Sequence, residues 1–362
     1  MRMDEIIQVE GLKKYFGEIK AVDDLYFSVE KGELFGFLGV NGAGKSTTIN
    51  MLCTLLSPTK GRVKLCGCEL GTDDESIRKR IGVVWQHNCL DDRLSVKENL
   101  YVRGSLYGFG AQELRDRVNH ICETLHLEEI FTAMYKRLSG GQKRRCEIAA
   151  ALINTPEILF LDEPTTGLDP QTRQFVWESM QTLQKENGTT IFLTTHYMEE
   201  AANARHIAII DHGKILEYGT PFSLKEQYAK DRLHLIPLDG QEAELMQMLA
   251  NIQSDADIKL NADIKLNADI QSDADIKMNT DIQSSEGIKL NADIQVDADN
   301  HSGSMASNVV RADGRFILSV KDSMDALEIL NTVKSCLCGF EMIQGTLDDV
   351  FLNVTGKSLE QQ

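Results

Sequence analysis

The chain has 362 residues, of which 42% are hydrophobic and 26% charged, a composition typical of globular proteins with room for one large and one smaller domain. Its formal net charge of −17 argues against a nucleic-acid-binding protein, because phosphate backbones select basic surfaces. No apolar run approaches the roughly 18 residues of a membrane span, and the first residues lack the apolar stretch of a signal peptide, so we expect a cytoplasmic chain that reaches any membrane through a partner.

Two aromatic side chains stand out near the start of the chain. Short strands are predicted at residues 6–9 and 24–29, and Tyr15 and Phe16 lie between them, directly before Gly17. An aromatic ring just ahead of a phosphate-binding loop can stack on an adenine face. The alternative is an ordinary half-buried aromatic, and the residues alone leave both interpretations open.

The next element has the G-x-x-x-x-G-K-S spacing of a phosphate-binding loop. An apolar run at residues 34–38 predicts a buried strand before it, and residues 48–56 predict a helix that ends before Pro58. Glycines allow the backbone to wrap around phosphate oxygens, and the helix start adds partial positive charge. We expect Lys45 to reach the β- and γ-phosphates and Ser46 to bind Mg²⁺. The predicted loop comprises Gly39, Val40, Asn41, Gly42, Ala43, Gly44, Lys45, Ser46 and Thr47.

A helical insert is predicted within the α/β domain. Residues 81–85 form another apolar strand pattern that ends at Gln86, whose amide can contact Mg²⁺ or an attacking water, although this signal is weak on its own. Ser95 and Glu98 then form a capping box, which marks the start of a helix. From there to about residue 127 the pattern is mostly helical, with a glycine-rich break at residues 108–110.

A second candidate anion site follows at Ser139, Gly140, Gly141 and Gln142, directly before a helical run at residues 146–153. A Ser-Gly-Gly sequence at a helix start offers backbone N–H groups and a hydroxyl to an anion. In isolation, the simpler interpretation as a helix N-cap is favoured.

Two acidic residues at the end of the next predicted strand indicate a site where water attacks a bound phosphate. Residues 158–161 are an apolar strand pattern that ends at Asp162 and Glu163. An acid at the tip of a core strand beside a phosphate loop can hold Mg²⁺ through water, and a second acid can polarise the attacking water. A further strand at residues 191–195 ends at His196, which can hydrogen-bond a γ-phosphate and the second acid.

In this order, the motifs resemble the nucleotide-binding subunit of ABC transporters over about residues 3–225. The resemblance implies an α/β P-loop NTPase domain at residues 1–225, with a mixed sheet, a helical insert at about 90–150, and ATP and Mg²⁺ as cofactors. It identifies Phe16 as the adenine-stacking aromatic, with Tyr15 as the runner-up, and Val40 stands where many relatives have proline. The resemblance implies that Gln86 and Asp162 contact Mg²⁺, with Gln86 also linked to coupling. It implies that Glu163 is the catalytic base and that His196 is the γ-phosphate switch. Residues Ser139 to Gln142 would form the signature, and Asp169 would cross the dimer interface.

The resemblance also implies partners. Two cassettes would pair head to tail, so that the phosphate loop of one and the signature of the other enclose each ATP, and the motion on hydrolysis would pass to a membrane permease. One chain has one of each motif, so the working pair needs a second copy or a paralogue. The resemblance places this pair on the cytoplasmic face of the cell membrane. ATPases of this class that act on nucleic acid or the ribosome are the alternative; the acidic charge, the single cassette and the short spacing from Lys45 to Ser139 argue against them.

The remainder is predicted to be a small α+β accessory domain at residues 226–250 and 301–362. The sequence Leu-Asp-Asp-Val-Phe at residues 347–351 closes this domain and resembles the drug-resistance branch of the family, as does Lys-Arg-Arg at residues 143–145. That branch implies export of drugs, lipids or other amphipathic compounds.

An acidic tandem repeat interrupts the accessory domain at residues 251–300. Isoleucines recur every six residues from Ile252 to Ile294, in units close to Ile-Lys-Leu-Asn-Ala-Asp. This period matches no helical stripe, whereas in a strand every isoleucine would face one side. A flexible acidic insert and a small β-solenoid are both consistent with it.

Overall fold

The computed structural model describes residues 5–254, 309–312, 314–320 and 323–356. These residues form two compact units: the first contains the described residues up to Tyr228 and those from Leu347 onward, and the second contains those from Ala229 to Thr346. The predicted tandem repeat lies outside the described residues, apart from its first positions at 251–254. In the part of the chain that is described, no helix combines the length and the apolar character needed to cross a membrane.

Strands and helices are interspersed along the first unit, as expected of an α/β fold. Its strands are β1 (Glu5–Phe16), β2 (Ile19–Glu30), β3 (Leu34–Leu38), β4 (Lys60–Leu65), β5 (Cys68–Glu69), β6 (Ile81–Val84), β7 (Ile158–Asp162), β8 (Thr190–Thr195), β9 (His206–Asp211) and β10 (Lys214–Gly219). Its helices up to the second unit are α1 (Lys45–Leu52), α2 (Asp74–Arg80), α3 (Val96–Ser105), α4 (Ala111–Thr124), α5 (Gly140–Leu152), α6 (Pro170–Asn187), α7 (Met198–Ala201) and α8 (Pro221–Tyr228).

The second unit comes next in the chain, and one more helix of the first unit follows it. The second unit contains β11 (Asp231–Pro237), α9 (Glu242–Ser254), β12 (Val309–Ala312), β13 (Arg315–Val320), α10 (Ser323–Val333) and β14 (Leu337–Ile343). The first unit is completed by α11 (Leu347–Thr355).

The central sheet of the first unit has the strand order β10-β9-β3-β8-β7-β6. Every neighbouring pair from β9 to β6 is parallel, and β10 pairs antiparallel with β9. Strands β3, β7 and β8 are buried along their whole length, as expected for parallel strands covered on both faces. The predicted mixed sheet is therefore confirmed, and α3 and α4 lie between β6 and β7 in the chain, where the helical insert was predicted.

Strands β1 and β2 are much longer than the short runs predicted at residues 6–9 and 24–29. They pair with each other in a second sheet, whose order is β2-β1-β4-β5. The prediction ended the first strand before Gly11, which has a φ of +62°. The strand continues because the pairing changes register between Val9 and Leu12, and such a bulge accommodates the glycine without ending the ladder. Phe16 is consequently the last residue of a strand.

The helix after the phosphate loop also differs from its predicted limits of 48–56. It begins at Lys45, because Gly44 has a φ of +112° and supplies the turn into the helix. It ends at Leu52, and Thr54 two positions later has a φ of +63°, which a right-handed helix cannot contain.

The second unit has an antiparallel sheet, β12-β13-β11-β14. Its core includes Leu233 and Leu235 from β11 and Leu249 from α9. It also includes Ile252, which is 7% exposed. The prediction ended this helix at residue 250 and assigned Ile252 to the repeat, whereas α9 continues to Ser254 and buries this isoleucine.

Helix α11 belongs to the first unit, although the sequence placed it at the end of the accessory domain. Its buried residues include Leu347 and Phe351, it packs against α8, and the Asn353 side-chain amide donates to the Tyr228 carbonyl at 2.7 Å. An amphipathic pattern predicts that one helix face is buried but not which core buries it.

Candidate functional site

Four parallel strands, β3, β8, β7 and β6, end at the same edge of the central sheet. Leu38 of β3 pairs with Thr195 of β8, and Asp162 of β7 pairs with Thr194 of β8. The carboxyl edge of an open parallel sheet is where ligands bind in α/β folds. The residues that follow these strands, and thus meet at this edge, are the phosphate loop, His196, Glu163 and Gln86.

The phosphate loop requires glycine where its backbone passes close to neighbouring strands. A Cβ atom on Gly39 would lie 2.4 Å from the Ile210 carbonyl oxygen, and one on Gly44 would lie 2.6 Å from the Ala21 carbonyl oxygen. Gly42 has a φ of +81°, a left-handed conformation that glycine adopts at little cost. These contacts and angles keep the loop tightly wound and place the start of α1 next to it.

Lys45 lies inside the loop with its ammonium group directed back at the backbone. Its Nζ donates to the carbonyls of Gly39 at 2.7 Å and Val40 at 3.3 Å, and it lies 3.8 Å from Glu163 Oε1. Burial lowers the pKa of this ammonium, and the nearby Glu163 and Asp162 carboxylates oppose that effect. The loop predicted to bind phosphate therefore contains a buried positive charge.

The remaining residues of the phosphate loop differ in how far they are buried. Val40 and Ala43 are buried, whereas Asn41 and Ser46 are exposed and Thr47 is half-buried. Their backbone continues into α1, whose first N–H groups have no partner in the helix itself and suit an anion.

Glu163 is the centre of the polar cluster at the sheet edge. Its Oε2 accepts from Gln86 Nε2 at 3.0 Å and from Thr166 Oγ1 at 3.3 Å, and it lies 3.5 Å from His196 Nδ1. Its Oε1 is the atom that faces Lys45. The residue has a φ of +46°, an unusual conformation outside glycine that often marks functional sites. The structure thus brings together four of the residues selected from the sequence.

Asp162 has a different environment from Glu163, although the two are adjacent. Its carboxylate is 5% exposed, and its Oδ1 accepts from Thr194 Oγ1 at 2.6 Å. Burial raises the pKa of Asp162, and the Thr194 hydrogen bond opposes that effect. A cation bound beside Asp162 would favour the ionised carboxylate and so offset the effect of burial.

The donor set at this edge suits Mg²⁺. Asp162 and Ser46 offer a carboxylate and a hydroxyl oxygen, and Gln86 offers an amide, which are ligands that Mg²⁺ accepts. The described residues contain no group of three or more His, Cys, Asp or Glu side chains that could hold a metal by themselves. Mg²⁺ keeps several waters and binds through one or two protein groups plus substrate phosphates, so a carboxylate and a hydroxyl are enough protein donors for it.

The two candidate aromatic residues are clearly distinguished by their contacts. Phe16 is 49% exposed at the end of β1, with Lys14 Nζ 5.0 Å from its ring centre. Tyr15 is half-buried, and its hydroxyl donates to Asp23 Oδ1 at 2.7 Å. Phe16 is therefore the more accessible of the two rings for stacking on a base, whereas the Tyr15 hydroxyl is held by Asp23.

The signature lies on the surface of the first unit. Exposed Ser139 caps α5 in a capping box with Gln142, so the N-cap interpretation is correct as far as local structure goes. Asp169 caps α6 through Thr172, whose hydrogen bonds lower the pKa of Asp169. A Cβ on Gly141 would lie 2.6 Å from Thr172 Oγ1, so the starts of α5 and α6 are in contact and form one exposed surface.

Three residues of the site's surroundings were not selected from the sequence. Thr194 bonds Asp162, and the buried side chains of Arg144 and Glu147 contact the segment around Gln86. The sequence signal that could have indicated them as site residues is a polar residue at a position that the strand or helix pattern assigns to the core.

This geometry defines the class of protein. A strand, a glycine loop and a helix, next to a parallel strand that ends in two acids, form the site of a P-loop NTPase. A helical insert that carries a second, exposed Ser-Gly-Gly helix start narrows the class to ATP-binding cassettes.

Comparison with known proteins agrees with this class. The family described as "ABC transporter" matches residues 22–166. The chain is 39% identical to the daunorubicin resistance ATP-binding protein DrrA3 of Streptomyces coeruleorubidus, over 71% of this chain and 82% of the relative. It is 44% identical to the Nod factor export ATP-binding protein I of Ralstonia nicotianae, over 60% of this chain and 68% of the relative.

Solved structures extend the agreement to the fold. The dimeric post-hydrolysis structure of the ATP-binding cassette MJ0796 with ADP and Pi is 28% identical, with a TM-score of 0.55 over 59% of this chain and 98% of that chain. The structure of cbiO1 from Clostridium perfringens, part of the ABC transporter complex cbiONQ, is 28% identical, with a TM-score of 0.57 over 61% of this chain and 90% of that chain. The chain belongs to the family of ABC transporter ATP-binding subunits, and its enzymatic activity is that of an ATPase.

Proposed function

We propose that this ATPase drives the export of an amphipathic compound through a separate membrane permease. Of the two relatives described above, one is named for drug resistance and the other for export. The cbiO1 neighbour is described as part of a transporter complex, which supports a permease partner and a position on the cytoplasmic face of the membrane.

The cluster around Glu163 carries the proposal for the chemistry. Glu163 acts as the general base for the attacking water, because its Oε2 lies within 3.5 Å of both the Gln86 amide and the His196 ring. The Gln86 amide fixes the carboxylate's direction through its hydrogen bond, and in this proposal His196 hydrogen-bonds the γ-phosphate. Lys45 and the loop N–H groups hold the β- and γ-phosphates, and Phe16 stacks on the adenine.

Mg²⁺ has a supporting role in this proposal. Ser46, Asp162 and Gln86 would hold it, and its charge would offset the negative charge that accumulates on the phosphates during transfer. Within the chain, Thr194 keeps the Asp162 carboxylate in place through its 2.6 Å hydrogen bond.

The proposed working unit is a pair of cassettes. The signature from Ser139 to Gln142 and the adjacent Asp169 form an exposed surface on one chain, which would close over the nucleotide on the phosphate loop of the other. The dimeric MJ0796 structures support this arrangement, and the partner is a second copy or a paralogue.

The first test is Glu163→Gln. We expect ATP affinity to change less than about twofold while kcat falls roughly 10²- to 10⁴-fold, because only the proton-accepting group is lost. Fluorescent-nucleotide titration and a phosphate-release assay measure the two quantities.

Glu157→Gln is a matched control for this test. Glu157 precedes the other end of the same strand, where its carboxylate lies 3.7 Å from Arg80 Nε. We expect this variant to hydrolyse ATP at the wild-type rate. Normal turnover by Glu163→Gln would show that Glu163 is not the base.

A further inference from the structure

Helix α5 contains two buried residues of opposite charge, Arg144 and Glu147, one turn apart. Arg144 is 5% exposed and Glu147 is 6% exposed. Burying charge has a high desolvation cost, and buried charges that persist are usually compensated by several hydrogen bonds. The partners of these two side chains therefore indicate what the helix holds in place.

Arg144 binds backbone carbonyls on two separate segments of the site. Its Nη1 donates to Trp85 O at 2.5 Å, its Nε to Pro164 O at 2.5 Å, and its Nη2 to Glu163 O at 3.2 Å. The planar guanidinium has five N–H donors in a rigid fork and can span such acceptors, which an ammonium group cannot. Arg144 thus fixes the residue before Gln86 and the backbone of Glu163 relative to each other.

Glu147 binds the other end of the segment that contains Gln86. Its Oε1 accepts from the backbone N–H groups of Cys89 at 2.8 Å and Leu90 at 3.0 Å, and from Tyr135 Oη at 2.7 Å. Residues 85–90 are therefore held at one end by Arg144 and at the other by Glu147. The helix that supplies both side chains is the one whose first turn is the signature.

We infer that Arg144 and Glu147 are positioning residues of the ATPase: together they set residues 85–90 so that the Gln86 amide reaches Glu163, and they connect that contact to the signature helix. The inference rests on the proposed roles of Gln86 and Glu163. Neither residue contacts the phosphate loop through the hydrogen bonds described, so their effect falls on turnover and not on nucleotide affinity.

A double-mutant cycle tests the inference. Glu147→Ala removes the acceptor for both loop N–H groups and is expected to lower kcat about tenfold or more, with the Kd for a fluorescent ATP analogue within about twofold of wild type. Combined with Gln86→Ala, it is expected to lower kcat by less than about twofold further, because the position of Gln86 no longer matters. Multiplicative effects of the two substitutions would overturn the inference.

Conservative variants separate positioning from general loss of structure. Glu147→Gln keeps an oxygen that can accept from Cys89 and Leu90, and is expected to recover most of the kcat lost in Glu147→Ala. Arg144→Lys keeps the charge but not the fork, and is expected to lower kcat in the wild type and also, to a smaller extent, in Gln86→Ala, because Arg144 holds the backbone of Glu163 as well. Tyr135→Phe removes one bond to Glu147 without touching the loop and is expected to leave kcat within about twofold.

Amide hydrogen exchange distinguishes failure of this inference from failure of the proposed function. Faster exchange at Cys89 and Leu90 in Glu147→Ala, with Glu147→Gln close to wild type, is the expected result. Unchanged exchange would overturn the inference even if Gln86 proved essential. Full activity of Gln86→Ala alone would instead contradict the proposed role of Gln86, and with it the expected fall in kcat of Glu147→Ala.

Discussion

At the scale of single residues, two adjacent acids have different surroundings because their backbones differ. Asp162 is the last residue of β7 and is bonded by Thr194 of the neighbouring strand. Glu163 has a positive φ and turns its carboxylate toward Gln86 and His196. One acid is thus fixed within the sheet, and the other faces the edge where an attacking water would be activated.

Thr194→Val tests how far Asp162 depends on its buried donor. The change preserves shape but removes the hydroxyl, so we expect the free energy of unfolding to fall by about 1–3 kcal/mol, the usual effect of leaving a buried polar group without its partner. Urea unfolding followed by tryptophan fluorescence measures this. Thr182→Val is the control, since that hydroxyl bonds a helix carbonyl on an exposed surface; an equal loss in both variants would contradict the special role of Thr194.

The sequence identified the site residues that directly follow apolar strands. Asp162 and Glu163 could be selected in this way because parallel strands end at one edge. Thr194 and Arg144 could not, because their partners lie 32 and 59 positions away in the chain, at Asp162 and Trp85. Local patterns contain no information about such contacts until the strand order is known.

At the scale of elements, the chain contains one local structure in two different surroundings, and we propose a different purpose for each. Ser95 and Glu98 form the capping box of α3, and Ser139 and Gln142 form that of α5, each with both reciprocal hydrogen bonds. Ser95 is nearly buried, whereas Ser139 is exposed. What distinguishes an ordinary N-cap from a candidate anion site here is therefore exposure, not hydrogen-bond geometry.

Matched substitutions of the two serines separate these purposes. Ser95→Ala and Ser139→Ala should each lower the free energy of unfolding by about 1 kcal/mol through loss of a cap. Only Ser139→Ala should also reduce ATPase activity, because it removes a donor proposed to face the partner's nucleotide. Unfolding curves and steady-state kinetics measure the two effects, and equal kinetic loss in both variants would contradict the proposed role of the signature.

Ser139→Asp makes the distinction sharper. Aspartate caps a helix as well as serine does, so stability should be retained, whereas its charge would repel a triphosphate and should abolish turnover. Wild-type turnover by this variant would show that Ser139 does not meet the nucleotide.

Element types were predictable from the sequence, and several limits and partners were not. The buried strands β3, β7 and β8 and the capping box of α3 follow from short-range patterns. The extension of β1 past Gly11 depends on a bulge opposite β2. The placement of α11 and the burial of Ile252 depend on which core is nearby, which only the folded chain determines.

At the scale of the whole molecule, each nucleotide site is proposed to need two chains. The phosphate loop and Glu163 lie at one edge of the central sheet. The signature is an exposed helix start in which Ser139 and Gln142 hydrogen-bond each other. If the site is shared, a chain defective in its loop and a chain defective in its signature each keep the half that the other lacks.

Mixing two inactive variants tests this sharing directly. Lys45→Ala removes the phosphate-binding ammonium and Ser139→Asp blocks the signature, so each homodimer should have almost no turnover. In an equal mixture, half of the dimers contain both chains and each of these has one intact site, so we expect about a quarter of wild-type ATPase activity if the sites act independently. Sedimentation with ATP checks that dimers form. The control is a mixture of Lys45→Ala with the double variant Lys45→Ala/Ser139→Asp, because no pairing of these chains restores a site. Activity in the test mixture no greater than in that control would contradict a composite site and favour nucleotide hydrolysis within one chain.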